Sequence, residues 1–192
     1  RKKRELFLTL NALQLTPASY ISFLVLYRYY DRRYQALFGN AFSQGSTVQN
    51  EQGVYMGLQL TPIARWKLSI YADLFRFPWL KYGIDAPSGG QEYMAQIDYT
   101  PSRNYSAYLR YKYRQKEKNR TFENDNLLRI NSYKQHRIRF QQVYNFSSPF
   151  IFKTSLDGIL FDDPIKKLNK GIMISQSIGW KPLPYLFKWM VI

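Results

Sequence analysis

The sequence predicts an all-β fold, an antiparallel up-and-down transmembrane β-barrel, and three observations support that prediction. Apolar and polar residues alternate with a period of two along most of the 192 residues. Short links that contain proline alternate with long polar links, and aromatic residues gather towards the ends of the alternating segments. We expect one domain over residues 1–192, with about ten strands of an incomplete barrel of at least roughly twelve.

The alternating segments are each long enough to cross a bilayer as a tilted strand. WKLSIYADLFRF, residues 66–77, is the clearest example, because every second residue from Trp66 to Leu74 is apolar. At about 3.3 Å per residue and a tilt of about 40°, about 12 residues rise roughly 30 Å. The strands are expected at 4–15, 18–30, 53–61, 65–77, 91–100, 104–116, 133–146, 150–162, 171–180 and 185–192.

The links between these segments differ at the two ends of the predicted sheet. The short links are LTPAS, LTPIAR, YTPSRN, FSSPF and WKPLPY, whereas the long ones include DRRYQALFGNAFSQGSTVQNEQ and QKEKNRTFENDNLLRIN. All nine prolines are expected in links, because a strand that is hydrogen-bonded on both sides excludes proline. Short turns at one end and long loops at the other are typical of outer-membrane barrels.

The two faces of the predicted strands have opposite chemistry. We expect one face to contact lipid, and its clearest positions are Trp66, Leu68, Ile70, Ala72, Leu74, Ile97, Tyr105 and Leu109. We expect the other face to line the lumen as a path for anions, through Lys67, Arg110, Lys112, Arg114, Arg137, Arg139, Lys153, Asp73, Asp98 and Asp157. The alternative is that these charges only pair with one another across strands.

The chain is strongly basic, with 28 Lys plus Arg against 13 Asp plus Glu and a net charge of +15. Such a charge attracts either anionic head groups or nucleic acid. Basic residues in the long links, among them Arg32, Arg33, Lys116 and Lys118, predict contact with phosphorylated lipopolysaccharide; the alternative is that they are only solvated loop charges. The alternative function is a soluble basic β protein that binds nucleic acid through Arg- and Tyr-rich strands, although nucleic acid is not the partner expected for this segment.

The sequence offers little for catalysis or for metal binding. It has no cysteine, and its one histidine, His136, is flanked by arginines and is expected at the rim or in the lumen. Asp162 and Asp163 are expected in a solvated turn rather than at a cation site. We therefore predict no catalytic residue, no metal site and no cofactor. A barrel enzyme that acts on lipid or polysaccharide would need a nucleophile with an orienting base, and none is found.

The chain is expected to be a fragment. If the proline turns face the periplasm, the first strand would run inward and the tenth outward, which places both termini at the cell surface. A barrel normally keeps both ends in the periplasm, so we expect one further strand before Arg1 and one after Ile192.

Residues 53–119, and FRFPWLKYGIDAPSGG in particular, are similar to the barrel region of Bacteroidota outer-membrane proteins. The run SIGWKPLPYLFKWMVI extends the similarity, which resembles the C-terminal barrel of members that carry helix-hairpin-helix repeats. The resemblance implies a Gram-negative outer membrane and a non-enzymatic pore, transporter or scaffold component of an envelope assembly. It implies membrane lipid, lipopolysaccharide and other outer-membrane proteins or lipoproteins as partners. DNA binding does not carry over, because no helical hairpin of that type is found.

Overall fold

In a computed structural model, the chain is described over residues 7–34, 41–45, 47–122, 125–146, 150–163 and 169–180. These residues form one nine-stranded antiparallel sheet in which every strand pairs with the next along the chain. The strands are β1 (Leu8–Ala18), β2 (Ile21–Tyr30), β3 (Glu51–Leu60), β4 (Trp66–Phe77), β5 (Ser88–Ser102), β6 (Tyr105–Phe122), β7 (Asp125–Asn145), β8 (Phe150–Asp162) and β9 (Asn169–Trp180). Within the described ranges, no helix has the length and apolarity needed to cross a membrane.

This topology confirms the predicted all-β, antiparallel up-and-down fold. The sheet is open over the described residues, since β1 and β9 are its two edges and do not pair with each other. The predicted strand at 185–192 lies outside the described residues.

The predicted long polar link after residue 116 is wrong. β6 continues to Phe122 and β7 begins at Asp125, so this hairpin runs beyond its neighbours as a two-stranded extension. Residues on the extension stay in register, with Lys118 opposite Asn131. Beyond the edge of the sheet a strand need not bury an apolar face, and here polar side chains bond to the link between β4 and β5, as Asn119 Nδ2 does to Asp85 Oδ2 at 2.7 Å. The sequence of the extension therefore lacks the alternation that marks the other strands.

The expectation that every proline lies in a link is also wrong at two positions. Pro17 lies within β1 and Pro101 within β5, each next to the turn that follows. The pairing register shifts at both places, between Leu15 and Ala18 and between Tyr99 and Ser102. A β-bulge removes the need for an N–H donor, which explains how these strand ends accept proline.

The strand register separates the side chains onto two faces of opposite character. The face that bears Arg28, Asp73, Glu92 and Arg114 is called here the charged face, and the other is called the apolar face. Burial is concentrated on the charged face. Within the described ranges, three of the four buried hydrophobic residues lie on this face; they are Tyr30, Phe75 and Phe77. The apolar face instead leaves its large side chains exposed.

Candidate functional site

A buried ion cluster joins β2, β3 and β4 on the charged face near the long-loop end. Arg28 donates from Nε to Glu51 Oε1 at 2.6 Å, from Nη1 to Asp73 Oδ1 at 2.8 Å and from Nη2 to Asp73 Oδ2 at 3.2 Å. All three side chains are at most 1% exposed. Gly53 faces Arg28 across the strand pair, and a Cβ there would lie 2.7 Å from Arg28 Cζ, so only glycine leaves room for the guanidinium.

Residues 41–45, called here the inserted segment, lie against this cluster. The backbone N–H groups of Gln44 and Gly45 donate to the Glu51 carboxylate at 2.9 to 3.0 Å, and Ser43 Oγ donates to it at 2.6 Å. The Gln44 side-chain amide donates to Asp73 Oδ2 at 2.8 Å. Two buried carboxylates thereby hold the segment in place, because charge-assisted hydrogen bonds are the strong ones.

The inserted segment also reaches the next strands of the sheet. Lys116 on β6 donates from Nζ to the Gln44 carbonyl at 3.0 Å, so the segment bridges β4 and β6 over the intervening β5. Phe42 lies under the Arg28 guanidinium, whose Cζ is 5.0 Å from the ring centroid. Lys116 was expected in a basic outer loop, and the structure corrects this, because it is a strand residue that points onto the charged face.

A second ion cluster surrounds Glu92 on β5, which is 3% exposed. Lys112 Nζ lies 2.8 Å and Arg114 Nε 2.5 Å from its carboxylate, and the Tyr71 hydroxyl donates to Oε1 at 2.6 Å. The predicted residues Lys112 and Arg114 are thus brought together with each other, but around a carboxylate that the sequence analysis had not singled out. The signal was available, since Glu92 has the same strand parity as Asp98.

Two further groups complete the charged face towards β8. Arg139 Nε donates to Asp157 Oδ1 at 2.7 Å, and Arg137 donates to the same oxygen at 3.2 Å. Asp157 Oδ2 has no hydrogen-bond partner among the described residues although it is buried. On β5 and β6, Arg110 donates to Gln96 Oε1 at 2.6 Å.

The register places all ten residues of the predicted lumen set on the charged face. Lys67 lies opposite Asp98, and Gln96 donates to Asp98 Oδ1 at 2.7 Å, which links that pair to Arg110. Lys153 on β8 is exposed, and no ion pair of it occurs among the described residues. Cations therefore outnumber carboxylates here, and most, but not all, of the charges pair with one another.

The predicted lipid set lies together on the apolar face. Trp66, Leu68, Ile70, Ala72 and Leu74 follow one another along β4, opposite Tyr99, Ile97, Ala95, Tyr93 and Gln91 of β5. Tyr105 and Leu109 continue the same face onto β6. Large residues on it stay well exposed, such as Ile138 at 51% and Ile172 at 85%.

Aromatic rings on the apolar face cluster at the proline-turn end. Trp66 lies against Tyr99 with ring centroids 4.4 Å apart, and Tyr105 lies 6.3 Å from Tyr144. Charged residues with described side chains occur on this face only towards the long-loop end; they are Arg76, Glu117, Lys134, Asp162 and Lys170. The face is thus an apolar band with aromatic residues at the proline-turn border and, towards the long-loop border, charges together with the rings of Tyr29 and Tyr113.

Two expectations for polar residues are wrong in part. His136 was expected at the rim or in the lumen; it lies on the apolar face, two residues from Lys134 at the charged border, and its Nδ1 is 2.8 Å from the Tyr111 hydroxyl. Asp163 is 4% exposed, so it is not part of a solvated turn, whereas Asp162 is exposed as expected. Within the described ranges, no three His, Asp or Glu residues group closely enough to hold a metal ion.

Comparison of the chain with protein families, with curated proteins and with solved structures finds no match.

Proposed function

We propose that the chain forms the wall of an outer-membrane β-barrel in a Gram-negative bacterium and acts there as a non-enzymatic pore. In this proposal the apolar face contacts lipid and the charged face lines a water-filled lumen, with the inserted segment as its constriction. The observation that carries the proposal is the separation of the two faces over β2 to β8, because the more buried side of these strands holds the charges and the more exposed side holds the large apolar residues.

The exposed apolar face supports a membrane location. A monomeric soluble protein rarely exposes a contiguous apolar patch of more than a few hundred Å². Here β2 to β9 present apolar side chains without a Lys, Arg, Asp or Glu between the proline-turn end and the charged border. Hydrocarbon is the surrounding in which this pattern has the lowest free energy, and the aromatic rings of Trp66, Tyr99, Tyr105 and Tyr144 correspond to an interfacial girdle.

The charged face supports a water-filled lumen that prefers anions. Asp157 Oδ2 and Asp98 Oδ2 lack a protein partner among the described residues, and water in a lumen would supply one. The cations outnumber the carboxylates, and Lys153 and Lys67 stand on the face without a described ion pair. A ring of excess positive charge favours anions in a narrow pore.

The partners in this proposal follow from the location. Membrane lipid would cover the apolar face, lipopolysaccharide would contact the cations at the long-loop end, and other outer-membrane proteins or lipoproteins would complete an envelope assembly. In the same proposal, the chain is related to the C-terminal barrel of helix-hairpin-helix outer-membrane proteins of Bacteroidota. If the chain acted as a scaffold instead of a pore, it would form the same barrel wall but the protein would not conduct ions.

Reconstitution tests the proposal. The full-length protein, refolded in detergent, should migrate differently on a gel before and after boiling and should enter planar bilayers with discrete conductance steps. Under a salt gradient, the reversal potential should show anion preference. A heat-modifiable protein without conductance would support the scaffold role. A protein that stays in solution without detergent and binds oligonucleotides with a steep loss of affinity in salt would overturn the proposal in favour of the nucleic-acid alternative.

A further inference from the structure

A cavity of about 540 Å³ opens at the long-loop end, between the link that follows β2 and the link that follows β4. Its volume is in the range of small-molecule binding sites. Three cations, Arg32, Arg33 and Lys81, and three aromatic residues, Phe77, Trp79 and Tyr82, contribute to its lining. Among the described residues, no Asp or Glu lines it.

Buried hydrogen bonds hold the walls of this cavity in place. Asn50, 7% exposed, donates from Nδ2 to the Trp79 carbonyl at 2.8 Å, and the Trp79 N–H donates to Asn50 Oδ1 at 2.9 Å. Lys81 and Ile84 pair through both backbone hydrogen bonds around a tight turn, with Ile84 buried at 4%. The two links are therefore tied to each other, and the cavity is a built feature of the fold.

Two of the three cations of the cavity, Lys81 and Arg32, are placed against rings rather than against carboxylates. Lys81 Nζ lies 3.5 Å from the centroid of Phe77, and Arg32 Cζ lies 4.6 Å from that of Trp79. Neither has a carboxylate oxygen within 4.0 Å among the described residues, whereas Arg33 Nε has Asp31 at 3.5 Å. Burial lowers the pKa of the Lys81 ammonium, which means that its charge is poorly compensated and that an anion would stabilise it.

We propose that this cavity binds a soluble phosphorylated saccharide, with the phosphate between Arg32, Arg33 and Lys81 and the sugar ring against Trp79 and Tyr82. Guanidinium groups match phosphate oxygens in pairs, and a lysine adds a point charge. Trp79 is 53% exposed and Tyr82 fully exposed, so both offer ring surface to sugar C–H groups. This inference rests on the proposed pore, since it names the class of solute that the pore would collect at its mouth.

The position of the cavity favours a soluble ligand over the phosphates of lipopolysaccharide. Phe77 belongs to the charged face of β4, and Gly45 is the last residue of the inserted segment, so both lie on the side of the sheet opposite to the apolar face. A lipid-anchored saccharide would approach from the apolar face, where its acyl chains lie. A ligand that enters the cavity from the side of the charged face comes from solution.

Titration calorimetry on the full chain in detergent micelles tests the inference with four probes: glucose 6-phosphate, glucose, inorganic phosphate and lipopolysaccharide. We expect glucose 6-phosphate to bind at least tenfold more tightly than glucose or phosphate. Lys81→Gln and Arg32→Gln should each weaken that binding about tenfold or more. Lys170→Gln, at an exposed position on the opposite face at the far edge of the sheet, is the matched control and should leave it unchanged.

Each other result would overturn a stated part of the inference. If glucose bound as tightly as glucose 6-phosphate, the cavity would not recognise the phosphate. If inorganic phosphate bound as tightly as glucose 6-phosphate, the cavity would not recognise the sugar. If lipopolysaccharide bound more tightly than glucose 6-phosphate, the ligand would be a membrane lipid rather than a soluble saccharide. A heat-modifiable, conducting protein that binds none of the probes would contradict this inference and leave the proposed pore intact. A protein that binds glucose 6-phosphate but needs no detergent would keep the site and contradict the proposed pore.

Discussion

Replacement of Arg28 by methionine should destabilise the sheet by about 3 kcal/mol, near the lower end of the cost of breaking a buried ion pair. The methionine keeps most of the apolar stem, so little cavity is created next to Gly53. The loss comes from the three hydrogen bonds at 2.6, 2.8 and 3.2 Å and from the two carboxylates that remain buried. Glu51 keeps donors from the inserted segment, whereas among the described residues Asp73 keeps only the Gln44 amide, so the cost arises mainly at Asp73.

Urea unfolding of the protein in lipid vesicles, followed by tryptophan fluorescence, measures this loss. Arg103→Met is the matched control, because Arg103 is exposed in the two-residue turn between β5 and β6. We expect the control to leave the unfolding midpoint unchanged. If Arg28→Met shifted the free energy of unfolding by less than about 1 kcal/mol, the range of exposed ion pairs, the cluster would not be desolvated as described.

Three more substitutions test other parts of the account. Leu109→Arg should cost about 2–4 kcal/mol in vesicles because it puts a charge in lipid, whereas Gln141→Arg on the charged face should cost little; equal costs in urea unfolding would contradict the assignment of faces. Gly53→Ala places a methyl 2.7 Å from Arg28 Cζ and should cost about 1–3 kcal/mol, while Gly158→Ala, with its nearest atom at 4.0 Å, should be nearly neutral in the same assay. Lys116→Met removes the hydrogen bond to the inserted segment and should raise single-channel conductance; an unchanged conductance would mean that the segment does not narrow the pore.

The strands were predictable where one face is apolar, because side-chain alternation depends on the backbone alone. β4 and β8 match the sequence prediction within one residue at each end. The β6–β7 extension was missed because neither of its faces needs apolar residues once it leaves the sheet. The bulges at Pro17 and Pro101 were missed since pairing register, rather than composition, decides where a strand accepts proline.

The assignment of residues to faces was predictable from parity, but the contacts between them were not. Asp73 was expected among the inward charges, yet its partner Arg28 lies 45 residues away, and Glu51 lies 23 residues from Arg28. Such pairs depend on the register between strands and on the path of the inserted segment, which local sequence does not determine. One signal was present: Arg28 interrupts the apolar run YISFLVLYRYY, and a charge in such a run calls for a buried partner.

A spin-label scan along β4 tests most directly whether lipid covers the apolar face. The chain has no cysteine, so each single-cysteine variant from Leu68 to Leu74 carries one label. In vesicles, we predict that labels at Leu68, Ile70 and Leu74 are accessible to dissolved oxygen and shielded from a water-soluble nickel complex, and that labels at Ser69 and Tyr71 show the opposite ratio. Equal access of the nickel complex to both sets would place this face in water and contradict the account.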